Sequence, residues 1–113
     1  MDLTITARHC SIPDSVREHA YRQVAILQRL APRTPAANVI FEMNHHRRMV
    51  ETRLTAVGGP PLIAHGEGPT FRSALDRSLD RIERQLKRRR ARRRRRRSGL
   101  PAGPGPEMDR ADS

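Results

Sequence analysis

Polar and apolar positions alternate with two different periods along the first 86 residues, and the periods divide the chain into six elements. In Asp2–Arg8, Leu3, Ile5 and Ala7 alternate with Thr4, Thr6 and Arg8, the pattern of a half-buried strand. Ser11-Ile12-Pro13-Asp14 has the spacing of a capping box and predicts a helix over 12–30. At 100° per residue, Val16, Ala20, Val24, Leu27 and Ala31 fall on one face of it, and Glu18, Arg22, Ala25 and Arg29 on the other. The prolines of Ala31-Pro32-Arg33-Thr34-Pro35 stop it. Period two then returns in three runs. Val39, Phe41 and Met43 mark 37–44; Val50, Thr52, Leu54 and Ala56 mark 49–57; Leu62, Ala64 and Gly66 mark 61–67. Their links, Asn44-His45-His46-Arg47-Arg48 and the turn Gly58-Gly59-Pro60, are short enough for an antiparallel meander. A last helix begins near Thr70, with Phe71, Leu75, Leu79, Ile82 and Leu86 as its apolar stripe and Arg77, Arg81, Arg84 and Arg88 opposite.

The order is β-α-β-β-β-α. Every strand has one apolar face and every helix one apolar stripe. The economical fold is an α+β two-layer sandwich with both helices on one face of a four-stranded sheet. The other sheet face is then polar and open, which an antiparallel sheet tolerates. Both helices turn their outer faces to the same side, so Arg22 and Arg29 are expected to join Arg77, Arg81, Arg84 and Arg88 there.

Charge sharpens this picture. The 113 residues carry a net +11, and 22 of the 23 basic residues are arginine. Residues 1–86 sum to +3, the block 87–97 to +10 and the segment 98–113 to −2. The chain therefore reads as one domain over 1–90, an arginine-rich extension of the last helix over 91–97, and a Pro/Gly-rich disordered tail over 98–113. Ten adjacent cations repel one another, and a phosphate backbone relieves that repulsion. Arginine adds bidentate phosphate contacts and stacking on bases. With only Tyr21, Phe41 and Phe71 as aromatics, recognition by phosphate and shape is favoured over base reading.

Other chemistry finds little support. One cysteine, Cys10, excludes an intrachain disulfide framework and a cysteine-based zinc finger. His45-His46 with His9 or His65 lacks metal-site spacing. Cys10 beside His9 lacks an orienting group and an oxyanion hole. Asp76, Asp80 and Glu83 alternate with arginines at helical spacing, the pattern of intrahelical ion pairs. No enzyme activity, metal, cofactor or small-molecule substrate is expected. No apolar run is long enough to span a membrane, and Met1–Cys10 is no secretory signal, so a cytoplasmic protein is expected.

Three stretches resemble one family. They are Leu3-Thr4-Ile5-Thr6-Ala7-Arg8 leading to Ile12-Pro13-Asp14-Ser15-Val16-Arg17-Glu18; Ala64-His65-Gly66-Glu67-Gly68 followed by Phe71-Arg72-Ser73-Ala74-Leu75-Asp76; and Leu79-Asp80-Arg81-Ile82-Glu83-Arg84-Gln85-Leu86-Lys87-Arg88. In this order they resemble the ribosome hibernation-promoting factors, also called the ribosome-associated inhibitor or sigma-54 modulation family, over about residues 2–90. The resemblance is to the short form, since 98–113 supplies no dimerisation domain. It implies a monomer when free that binds the small ribosomal subunit in the mRNA and tRNA channel near the decoding centre and blocks translation under stress. It also implies contacts from both helices to ribosomal RNA phosphates, which carry over to Arg22, Arg29, Arg81, Arg84, Lys87 and Arg88. The helical wheel adds Arg77, and the arginine block adds Arg89, Arg90 and Arg92. The first helix departs from the family's lysine-rich pattern at Gln23, Ala25 and Gln28. Two other readings stay open: an RNA chaperone without ribosome specificity, and a regulatory module docking an acidic protein or membrane surface.

Overall fold

The computed structural model describes residues 2–55 and 59–98. Its elements are β1 (Asp2–Arg8), α1 (Asp14–Leu30), β2 (Ala36–Asn44), β3 (Arg47–Leu54), β4 (Leu62–Gly68) and α2 (Phe71–Ser98), the order expected from the pattern. The strands form one sheet in the order β1-β2-β3-β4. β1 runs parallel to β2, with α1 as the crossover, and β2-β3-β4 is the antiparallel meander.

Register explains the two faces. The rows Leu3-Ala37-Leu54-Leu62, Ile5-Val39-Thr52-Ala64 and Ala7-Phe41-Val50-Gly66 run across all four strands. They face the helices and, apart from exposed Ala7, meet Val16, Ala20, Val24 and Leu27 from α1 and Phe71, Leu75, Leu79, Ile82 and Leu86 from α2 around one apolar core. Phe71 packs edge-on against Phe41, with ring centroids 5.8 Å apart. Buried Ser78 is satisfied by the Thr52 hydroxyl at 2.8 Å and the Ala64 carbonyl at 3.1 Å. The opposite face carries Thr6, Ile40, Glu51 and His65 in register, and Arg8, Glu42, Met49 and Glu67 beside them.

Four local expectations change. Ser11 and Asp14 form no capping box: α1 starts at Asp14 after Pro13, which is extended and gives no side-chain cap, so the helix is shorter than 12–30. Ile40 is buried although it alternates away from the core, because its neighbours on the open face cover it. The β2-β3 link tightens to the two residues His45-His46, with His45 at φ 57°, the left-handed value a tight hairpin needs at its first position. Ser98, assigned above to the tail, is the last residue of α2. Residues 99–113, the end of the run 49–57 and Gly58 lie outside the described residues.

α2 starts on a reciprocal pair. Ser73 N–H donates to Thr70 Oγ1 at 3.1 Å, and Thr70 N–H to Ser73 Oγ at 3.2 Å. The helix then runs for 28 residues, about 42 Å. Among the described residues its last buried one is Leu86, so it carries its arginines past the end of the core.

A candidate nucleic-acid interface

α2 lies over β3 and β4 and touches α1 along its other flank. The α1 contact centres on buried His19, whose Nε2 is 2.7 Å from Asp76 Oδ1. The sheet flank is a row of donors. Arg77, Arg81 and Gln85, four residues apart, donate to the carbonyls of Glu67, His65 and Ile63, two residues apart on β4; the Gln85 bond is 3.1 Å. Among the described residues β4 is an edge strand, and those outward carbonyls have no neighbouring strand to pair with. One helical turn advances 5.4 Å and two strand residues about 6.6 Å, so a four-residue and a two-residue repeat stay nearly in step.

Arg77 and Arg81 therefore do two things. One guanidinium nitrogen of each caps the sheet edge, and the rest of each exposed side chain faces solvent. We expect Arg77→Ala with Arg81→Ala to lower stability by about 1–2 kcal/mol. It should also raise self-association through the uncovered edge. Thermal unfolding and light scattering at high concentration measure the two effects.

The other sequence-chosen residues divide by position. Arg22 and Arg29 are exposed on α1, on the far side of α2 from the sheet-edge row. Arg84 pairs with Asp80 at 2.9 Å and Lys87 with Glu83 at 3.6 Å, all exposed or partly so. Such pairs are worth up to about 1 kcal/mol and exchange readily for phosphate. Arg88 and Arg89 are half-buried, and Arg90 and Arg92 exposed. The structure thus brings Arg77 and Arg81 into one row on the sheet edge, with Arg22 and Arg29 exposed on the neighbouring helix. Acidic Asp76, Asp80 and Glu83 share the exposed surface of α2 with the arginines, so the cationic character rises steeply only beyond Leu86.

The open sheet face is mixed in charge. Glu51 holds Arg53 through one carboxylate oxygen and His65 Nε2 through the other, at 2.7 Å. Burial pushes the Glu51 pKa up, but hydrogen bonds and charge from Arg53 and His65 outweigh it and hold the carboxyl below its usual range. A depressed carboxyl pKa stabilises the fold above the unfolded value, near 4.3, and that stability is lost as pH falls through the folded value. The expected result is an acid limb in the stability profile below about pH 4.3 that Glu51→Gln flattens, read by chemical denaturation across pH 2–6. With His65 engaged there and His45-His46 forming the hairpin turn, the histidines are spread over separate places. Cys10 is half-buried, its Sγ–H directed at the Phe41 carbonyl at 3.6 Å.

The family model described as sigma 54 modulation protein / S30EA ribosomal protein matches residues 3–94. The chain belongs to this family. Among curated members, the ribosome hibernation promoting factor of Azotobacter vinelandii is 24% identical over 86 residues, covering 76% of this chain and 79% of that protein. That of Pseudomonas putida KT2440 is 24% identical over 88 residues, covering 78% and 85%. Among solved structures, a ribosomal subunit interface protein from Coxiella burnetii superposes with a TM-score of 0.74 at 20% identity, covering 80% of this chain and 99% of that one. The N-terminal domain of Thermus thermophilus Protein Y gives 0.69 at 26% identity, covering 78% and 98%. This sigma-54 modulation / S30EA chain thus shares the family's β-α-β-β-β-α sandwich. The family is one of non-enzymatic proteins, in agreement with the sequence reading.

The sequence reading missed the sheet-edge role of Arg77 and Arg81. The signal was present as the two repeats, four residues on the helix and two on the strand. It becomes legible only once α2 is known to lie along β4.

Proposed function

We propose that this chain is a ribosome hibernation factor. It binds the small ribosomal subunit at the subunit interface near the decoding centre, contacts ribosomal RNA phosphates through the basic side chains of α1 and α2, and blocks translation while bound. The observation that carries the reading is the family match over residues 3–94, with relatives named as ribosome hibernation promoting factors. The exposed arginines of both helices and the cationic end of α2 support the RNA part of it. The reading places the protein in the cytoplasm as a monomer when free, with no cofactor. It also makes residues 1–90 the ribosome-binding unit and 91–97 its basic extension.

The test is sedimentation of the tagged protein with ribosomes at two salt concentrations, beside inhibition of translation in vitro. Migration with small subunits or whole ribosomes, weakening as salt rises, is the expected result. Equal competition by bulk RNA and by ribosomes would instead favour a general RNA binder.

A further inference from the structure

The core-facing stripe of α2 does not stop where its hydrophobic residues do. Ile82, Leu86, Arg89 and Arg93 follow one another at spacings of four, three and four, so Arg89 and Arg93 occupy the stripe that Ile82 and Leu86 begin. They overhang the end of the core and close a cleft of about 470 Å³, within the roughly 300–1,000 Å³ of small-ligand sites. Leu30, Leu54, Leu62 and Leu86 contribute apolar surface to it. Arg33 from the α1–β2 connection and Arg89, Arg90, Arg93 and Arg94 from α2 supply its charge. Among the described residues no carboxylate lines it.

Arg89 is the least satisfied member. Its Nη1 is buried and has no hydrogen-bond partner among the described residues. Burial, then the charges of Arg93 and Arg92, push its pKa down, so a nearby anion would relieve it. An apolar floor beneath converging guanidinium groups asks for a ligand with a flat, weakly polar part and an anionic part. Guanidinium planes stack on bases and bind phosphate bidentately.

The geometry points to a seat for one unstacked nucleotide of a single-stranded RNA segment, its base on the leucine floor and its phosphate on Arg89 and Arg93. RNA is the source that fits, because α2 continues beyond the cleft to Ser98 and its sequence carries further arginines there. The inference rests on the RNA-binding reading proposed above and adds a base-dependent contact to an interface otherwise made with phosphates.

The experiment uses the full chain and a labelled single-stranded RNA of about ten nucleotides, within the span of known single-strand grooves. A matched strand carries the same phosphates with its bases removed. The expected result is roughly tenfold weaker binding of the abasic strand. That ratio should persist as salt rises, while both affinities fall. Thr55→Met extends an aliphatic side chain into the cleft from an exposed position, changes no charge and offers no aromatic face for a base to stack on. It should bring the ratio towards one while both strands still bind through the arginines. Arg89→Gln, outside the core, should weaken binding of both strands. Equal binding of the two strands by the wild type overturns the inference.

Ribosome sedimentation of the same proteins separates the two readings. Base discrimination without ribosome binding leaves the cleft and sinks the hibernation reading. Ribosome binding without base discrimination does the reverse.

Discussion

Gly66→Ala is expected to destabilise the fold by about 3 kcal/mol, at the upper end of overpacking costs. For a domain of this size that is a fall of roughly 15 °C in Tm. Gly66 sits on β4 against the turn of α2 that runs from Ala74 to Ser78. A Cβ added there would lie 2.6 Å from Ser78 N and 3.1 Å from Arg77 Cβ, and closer still to the Ala74 carbonyl oxygen. Two of these neighbours are backbone atoms of a buried helical turn and have no rotamer through which to yield. Ala74 and Ser78 are both fully buried, so relief requires moving α2 off the sheet. That movement would lengthen the Ser78 contacts to Thr52 and Ala64 and pull Arg77, Arg81 and Gln85 off the β4 carbonyls. Gly59→Ala is the control. Its Cβ would find its nearest neighbour, Arg89 Nη1, at 3.7 Å, an ordinary contact, so it should stay within about 0.5 kcal/mol of wild type. Thermal and urea unfolding of the two variants side by side decide the matter. Equal stabilities would mean that the close approach of α2 to β4 does not hold the sandwich together.

This contact also marks how far the sequence is legible. Strict alternation placed Val39, Phe41, Val50, Leu54, Leu62 and Ala64 on one face, and the registers put them in common rows, because a one-residue slip would turn every one of them to solvent. The stripe Phe71, Leu75, Leu79, Ile82 and Leu86 was equally plain, since nothing but a buried helix keeps that spacing. Gly66 was visible only as a small residue. Its role depends on which helix turn lies above it, and that is tertiary information. The same holds for the basic residues. A helical wheel sets Arg77 and Arg81 opposite the apolar stripe, but a long side chain reaches the nearest unpaired acceptors, and those belong to the β4 edge. Ile40 shows the converse: its alternation is polar-side, yet Glu42, Met49, Glu51 and neighbouring side chains cover it. Arg89 and Arg93 continued the core stripe in plain sight, but the surrounding run of charge hid a positional pattern within it.

Neutralising Arg22, Arg29, Arg84 and Lys87 to glutamine is expected to give the largest loss of ribosome affinity that leaves the fold intact. None of the four lies in the apolar core, and none is among the donors that cap the β4 edge. Arg77 and Arg81 are left in place for the second reason, since removing them would confuse folding with binding. If each of the four meets one RNA phosphate, the slope of log K against log salt should become shallower by roughly 3–4 units. Affinity at 0.1 M salt should fall on the order of a thousandfold by the same counterion-release relation. A pair from the open sheet face, Arg8→Gln with Arg47→Gln, removes arginine charge without touching either helix; Arg47 is exposed there and its nearest anion is Glu67, at 3.6 Å. That pair should leave the slope nearly unchanged. Binding measured across a salt series for the two variants separates a directed interface from a diffuse positive field. A directed interface loses its slope only with the helix quartet. A diffuse field would respond in proportion to total charge, so the sheet pair would produce half the quartet's effect, and the assignment of RNA contact to the helices would then be wrong.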